Sequence, residues 1–347
     1  MYNKYQALIN ELKQKQIGVE DTNKNSRVLL VDGLNTFIRS YSASPVTNSD
    51  GEHVGGISGF LLSVGHAIKA INPTRVVVVF DGKDGAARRR SIFPEYKANR
   101  KVKIRLNRSE VVDKEDNQLK QLVRLVDYLG VLPITTLIID KAEADDVIAY
   151  LAKDYFSTKD SQVFIMSSDK DFLQLVNNEI HVWSPTKKKL FYTQDVQEEY
   201  GICPENFALY RSLIGDKSDN IPGVSGVGRE TALKKFPKLG TDPINLEDFM
   251  KYVTELSNTD KAKVYTKVLQ EAENLKTYYQ IIQLGVSNIP FPSRGKIRQT
   301  VEAKINPLAK IKFHTMLVED RMADVIKNVE LWLKEVTSKL DRYCLED

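Results

Sequence analysis

Residues 135–156, "TTLIIDKAEADDVIAYLAKDYF", decide how this chain folds. The opening run is short, apolar and closed by Asp140, which reads as a buried strand. The closing run places Val147, Ile148, Tyr150 and Leu151 at helical spacing. Strand, turn and helix in that order form one unit of an α/β domain. Between them stand Glu143, Asp145 and Asp146, three carboxylates within four positions. Two carboxylates about 5 Å apart repel by roughly 3 kcal/mol at an effective dielectric near 20. A whole domain is held by only about 5–15 kcal/mol, so a crowd of acids has to be neutralised.

The same spelling recurs along the chain. "RVLLVD" ends at Asp32, "RVVVVFD" at Asp81 and "QVFIMSSD" at Asp169. The helical patterns "SGFLLSVGHAIKAI" and "DNQLKQLVRLVDYLG" lie between such runs, and Gly130 followed by Pro133 stops the second. Alternation of this kind predicts a mostly parallel sheet flanked by helices. In open parallel sheets ligands bind beyond the carboxyl ends of the strands. Asp32, Asp81 and Asp169 are therefore expected on one rim, and the helix opening at Glu143 starts on the same rim. Glu143 and Asp146, three apart, share a helical face, and the helix N-terminus offers positive potential. Asp140 is read as a structural acid.

After about residue 200 the text changes. "LIGDKSDNIPGVSGVGRETALKKF" supplies Asp216 and Asp219, then Gly223, Gly226 and Gly228 between two helical patterns, then Lys234 and Lys235. This predicts a helix–hairpin–helix-type region whose glycines let backbone amides approach a phosphate. Further on, Met322, Val325, Ile326, Val329, Trp332, Leu333, Val336 and Leu340 predict a long amphipathic helix packed on the body.

The 347 residues suggest two domains, or one with appendages. No apolar run reaches the roughly 18 residues of a membrane span. The start, "MYNKYQALINELKQKQ", lacks the apolar centre of a signal peptide. Cys203 and Cys344 show no ligand spacing, so a reducing cytoplasm is expected. The four histidines are scattered and do not read as zinc ligands. The net charge is +4, but ten basic and two acidic residues between Lys83 and Arg108 give that segment +8 and the remainder −4. A segregated basic segment suits a polyanion, and the interleaved Phe93 and Tyr96 are expected to stack on bases. Carboxylates without nearby His or Cys predict a hard cation, Mg²⁺ with Mn²⁺ as substitute. Two such ions stabilise both the attacking and the leaving oxygen of a phosphodiester displacement. No Walker loop, G-x-G-x-x-G after a strand or G-x-S-x-G elbow is present.

The ordered motifs VDG, FDG, EYKANR, EADD, SSDKDF and GDKSDNIPGVSGVG, spread over residues 27–240, resemble the 5′-nuclease or flap endonuclease superfamily. That superfamily includes the 5′ exonuclease domain of bacterial DNA polymerase I and the phage flap enzymes. "WSPTKKKLF" at 183–191 and "PSRGKI" at 292–297 resemble its phage ribonuclease H branch most. The resemblance implies a PIN-like catalytic domain over 27–200 with a basic arch around 83–118. A helix–hairpin–helix-type region over 201–290 follows, and a leader (1–26) and a helical tail (291–347) lie outside the shared core.

The resemblance also implies roles. Asp32, Asp81, Glu143, Asp145 and Asp169 gather around one ion. Asp171, Asp216 and Asp219, with Asp146 and a share of Asp169, serve a second ion or its waters. Lys97 and Arg100 act on the scissile phosphate beside Asp81, Asp145 and Asp169. Arg88, Arg89, Arg90, Tyr96 and Lys101 contact DNA, as do Gly223, Gly226, Gly228, Lys234 and Lys235, with a monovalent cation at the hairpin. The implied substrates are DNA with 5′ flaps, nicked duplexes and RNA primers on DNA, met by a monomer in bacterial or phage-infected cytoplasm. A single-strand-binding protein or a sliding clamp is the expected protein partner. One alternative is a non-catalytic nucleic-acid-binding scaffold of the same fold. Another is a phosphatase, but its second Asp is replaced by Leu34 in "DGLN".

Overall fold

The structure, a computed structural model, describes residues 23–99, 114–285 and 288–344. Six strands form one sheet in the order β3-β2-β1-β4-β5-β6. They are β1 (Arg27–Asp32), β2 (Arg75–Asp81), β3 (Thr135–Ile139), β4 (Gln162–Met166), β5 (Ile180–Ser184) and β6 (Lys189–Phe191). The first five pair in parallel, and β6 returns antiparallel on β5. The four strands expected from the sequence are thus present. The hairpin β5–β6 adds two more, built from the "WSPTKKKLF" stretch and the residues before it.

The strands are continuous apolar runs because both faces of the sheet are covered. Leu29, Val31, Val76, Val78 and Phe80 pack into one core with α1 (Gly33–Ala43), α2 (Gly55–Ile71) and, after α3 (Ala87–Ile92), α4 (Lys114–Leu129). Val28, Leu30, Val77 and Val79 face the other side, against α5 (Ala144–Tyr150). That helix continues through a π-helical turn, Leu151–Phe156, in place of the regular helix the spacing predicts. The second core runs on into a helical lobe. Its helices are α6 (Thr193–Tyr200), α7 (Phe207–Ile214), α8 (Arg229–Lys235), α9 (Lys238–Thr241), α10 (Leu246–Thr259), α11 (Lys263–Gln270), α12 (Ala272–Ile282) and α13 (Phe291–Glu302).

The end of the described chain folds back onto the first core as α14 (Lys310–Glu319) and α15 (Val329–Thr337). One long helix was expected here. Asn328 interrupts it, at φ 49°, with its side chain accepting the Leu331 amide to start α15. Met322 and Ile326 are still buried, reached through the turn before that cap. Trp332 lies across α2 at Gly65, where a Cβ would stand 2.7 Å from the indole nitrogen. No described helix is long and apolar enough to cross a membrane.

Candidate active site

Strand order reverses around β1, whose neighbours are β2 and β4. A crevice opens at such a switch point, beyond the carboxyl ends. Here it is a cavity of about 750 Å³, and Asp32, Asp81, Asp145 and Asp169 all line it. The four acids expected on one rim are brought together. Backbone amides and a serine hydroxyl fix three of them. Asp32 caps α1, accepting the Asn35 amide at 3.2 Å. Asp81 reaches across to the first turn of α5 and accepts the Ala144 amide at 2.7 Å. Asp169 accepts the Asp171 amide at 2.9 Å. Ser167, buried at the end of β4, joins two of them. Its hydroxyl donates to Asp32 at 2.9 Å and accepts the Asp169 amide at 3.0 Å.

Burial drives the electrostatics of this group. It pushes the Asp32 carboxyl up to about 7, with Asp169 and Asp81 adding like charge. Burial also lifts Asp145 well above the carboxylate range, helped by Asp32. Asp169 rises for the same reason.

A second group lies on the lobe side. The carboxylates of Asp171, Asp216 and Asp219 can present oxygens within 4.8 Å of one another. Burial and the neighbouring Asp169 push Asp171 up to about 7. Burial acts the same way on Asp216, but Arg211, the Ser218 hydroxyl and backbone amides together outweigh it and hold that carboxyl below its ordinary value. Arg211, on α7, donates Nε to Asp171 at 3.0 Å and Nη2 to Asp216.

The remaining acids of EADD differ from the expectation. Glu143 and Asp146 do share a helical face, but it is turned from the cavity toward Arg89. That guanidinium donates to Asp146 at 2.6 and 3.0 Å, to Glu143, and to the Ile281 carbonyl at 2.8 Å. Asn288 donates to Asp146 at 2.7 Å, and Lys97 and Tyr96 bond Glu143. Burial alone would raise Glu143, but Arg89 and Lys97 hold it low. In this arrangement both carboxylates are committed to protein cations.

Arg89 and Tyr96 are themselves 3% exposed, so neither presents a surface to DNA. Consecutive helical residues point about 100° apart. Of Arg88, Arg89 and Arg90 only the middle one faces inward, and the outer two are exposed. Lys97 lines the cavity, at φ 58°, with its amide bonded to the Asp219 carbonyl. Arg100 and Lys101 lie outside the described residues, as do residues 102–113 of the arch and the leader up to residue 22.

The Gly-rich turn joins α7 to α8. Gly223 and Gly226 have φ of 72° and 80°, which favours glycine. A Cβ at Gly223 would stand 2.4 Å from the Gly215 nitrogen. Gly228 precedes α8 with extended backbone. Lys234 is exposed, and Lys235 pairs with Asp260 at 2.9 Å. Asp140, read as structural, accepts the Lys83 amide.

Sequence reading missed Arg211, Ser167 and Arg39. Arg39 lines the cavity, donates to Ser63 at 2.8 Å, and its buried Nε has no hydrogen-bond partner among the described residues. Its signal is spacing. Asp32, Asn35 and Arg39 recur at i, i+3 and i+7, one face of a helix.

Carboxylates forced together, most of them pushed toward the protonated form by burial, and free of soft donors are a donor set for hard divalent cations. The residues present fit such ions. A cavity of this kind, beside a basic segment and a Gly-rich turn, belongs to a nuclease. Residues 27–201 match the 5′–3′ exonuclease N-terminal resolvase-like domain, and residues 202–303 match the 5′–3′ exonuclease C-terminal SAM fold. The chain belongs to the 5′–3′ exonuclease family.

It is 35% identical over 229 residues to the 5′–3′ exonuclease of Buchnera aphidicola from Schizaphis graminum, covering 65% of this chain and 75% of that protein. It is 35% identical over 234 residues to that of Aquifex aeolicus, with 67% and 76% covered. Against the thermostable DNA polymerase I of Thermus filiformis it is 38% identical over 237 residues, 68% of this chain but only 26% of the polymerase. The fold is that of the bacteriophage T5 flap endonuclease, solved with DNA and metal ions. The TM-score is 0.61 at 21% identity, covering 85% of this chain and 99% of that one.

Proposed function

We propose that this nuclease hydrolyses phosphodiester bonds at 5′ flaps, nicked duplexes and RNA primers paired to DNA, clearing them during replication in the cytoplasm. Its cofactor would be Mg²⁺, with Mn²⁺ as substitute. The observation that carries the reading is the convergence of Asp32, Asp81, Asp145 and Asp169 on one cavity. These four would hold one ion, and Asp171, Asp216 and Asp219 a second. Bound there, the ions supply a water of lowered pKa and charge stabilisation of the displaced oxygen.

The chain's own groups do the rest. Lys97 binds the scissile phosphate from the cavity wall and offsets its growing negative charge, with Arg100 beside it. Glu143 keeps the Lys97 ammonium at the cavity edge before substrate arrives. Asp81 holds the first turn of α5, and so fixes Asp145 against the sheet rim. Arg39 takes a neighbouring phosphate. Exposed Arg88, Arg90 and Lys234 and the amides of the Gly-rich turn grip the backbone without reading sequence, with a monovalent cation at the turn.

The test is cleavage of a 5′-labelled flap beside the same strand without a flap, with Mg²⁺ titrated from zero and product lengths mapped. Cleavage confined to the 5′ side of the junction and absent without metal is expected. No cleavage at any Mg²⁺ concentration, or cleavage that persists undiminished in Asp145→Asn and so is not the chain's own, would leave the scaffold reading in its place.

A further inference from the structure

Arg211 occupies the centre of the second acid group. Its Nε lies 3.0 Å from Asp171, and its Nη2 is bonded to Asp216. The guanidinium is largely enclosed, with its side chain 14% exposed, and it lines the catalytic cavity. Asp171, Asp216 and Asp219 are the three acids that can gather oxygens within 4.8 Å. Two of the three already share a protein cation. Among the described residues no such fixed cation is bonded to Asp32 or Asp169 in the first group, where serine hydroxyl and backbone amide donors orient the carboxylates. Asp32 and Asp169 therefore differ from Asp171 and Asp216 in the fixed cation bonded to them.

We propose that Arg211 is a built-in counter-charge that sets the affinity of the second cation site. It is a positioning residue, acting through Asp171 and Asp216, and the inference rests on the proposed two-ion reading. Three carboxylates and one guanidinium carry −2 where the carboxylates alone would carry −3. An entering divalent ion meets a fixed positive charge within a few ångströms, and it has to displace the guanidinium from two carboxylates or share them. The first site thus fills at rest. The second fills weakly until a substrate phosphate adds its own negative charge. Arg211 in this way ties completion of the metal centre to arrival of nucleic acid.

The test is Mn²⁺ titration of the full chain without DNA, read by calorimetry and by the electron paramagnetic resonance signal of free Mn²⁺. Wild type is expected to show one tight and one weak ion. Arg211→Gln keeps amide donors for Asp171 and Asp216 but removes the charge. It should tighten the second ion by on the order of tenfold or more and leave the first unchanged. Arg211→Lys, which keeps the charge, should stay near wild type. If Arg211→Gln folds only with metal, the dependence of its unfolding midpoint on Mn²⁺ reports the same affinity. A second-ion affinity that is unchanged or weaker in Arg211→Gln overturns the proposal. Absence of any bound ion in wild type overturns the two-ion reading instead, so the two failures are distinguishable.

Discussion

Replacing Arg89 with Met leaves two buried carboxylates with Lys97 as their remaining cation. Glu143 and Asp146 are 4% and 1% exposed, and Arg89 bonds both. Removing one partner of a buried ion pair costs about 3–5 kcal/mol. A second route gives the same scale. If Glu143 takes up a proton in answer, neutralising a glutamate of ordinary pKa near 4.3 at about pH 7 costs roughly 4 kcal/mol. The cost has a pH signature. In wild type the folded-state pKa of Glu143 is depressed. Its contribution is therefore present above the unfolded pKa and is lost as pH falls through the folded value. In Arg89→Met two carboxylates share the single charge of Lys97, so one is left uncompensated and the variant loses stability relative to wild type as pH rises above about 4. The gap between the two proteins should widen by up to about 1.4 kcal/mol per pH unit, from roughly 1 kcal/mol at about pH 5 to roughly 4 at about pH 7. Urea unfolding in EDTA at both pH values measures it. A loss below about 1 kcal/mol at neutral pH, or an equal loss at both, would refute the assignment of Arg89 as the counter-ion of EADD.

Three further outcomes follow from the same geometry. Metal-free protein should lose stability as pH rises from about 4 to about 7, because Asp32 and Asp171 hold protons in the folded state that the unfolded chain releases. Saturating Mn²⁺ should flatten that slope, and melting temperatures that climb across the window without metal would contradict it. Asp145→Asn removes one of the mutually repelling carboxylates, so it should raise metal-free stability by on the order of 1–3 kcal/mol while cutting cleavage about 10²–10³-fold. Paired melts and flap assays check this, and a variant both less stable and fully active would count against the cluster. Gly223→Ala forces a Cβ into backbone at positive φ. It should cost at least about 1–2 kcal/mol and weaken binding of nicked duplex more than binding of single strand, as gel shift would show.

Most of the sheet and its acids were legible because a buried parallel strand writes itself as a short Val- and Ile-rich run, and four of the five parallel strands run out into Asp, whereas β5 ends at Ser184 and was not picked out. Which way neighbouring side chains point was not legible. Asp145 and Asp146 are adjacent letters with opposite surroundings, since one helical step turns the second from the cavity toward Arg89. Arg89 was hidden for a related reason. A triplet of arginines reads as a solvated face, and only the packing of α3 against α12 and α5 selects the one that goes inside. Arg211 stands alone in "LYRSLI" and carries no motif. The tail's periodicity located its buried residues, but the αL turn at Asn328 depends on the cap it makes there.

Where fixed cations sit separates the acids of this site by purpose. Glu143 and Asp146 meet Arg89 and Lys97, which are already part of the fold. Their repulsion is relieved permanently, and their charge is spent on holding α3, α5 and the lobe together. Asp32, Asp145 and Asp169 sit in a cavity with little such relief, and burial drives them toward the protonated form. Only a mobile cation can discharge that second set, so it is the set whose contribution to folding stability depends most on metal. Asp171 and Asp216 fall between the two, because Arg211 relieves them in part. Ranked by the fixed positive charge they already hold, the acids should fill with metal in the reverse order, the Asp32 group before the Asp171 group.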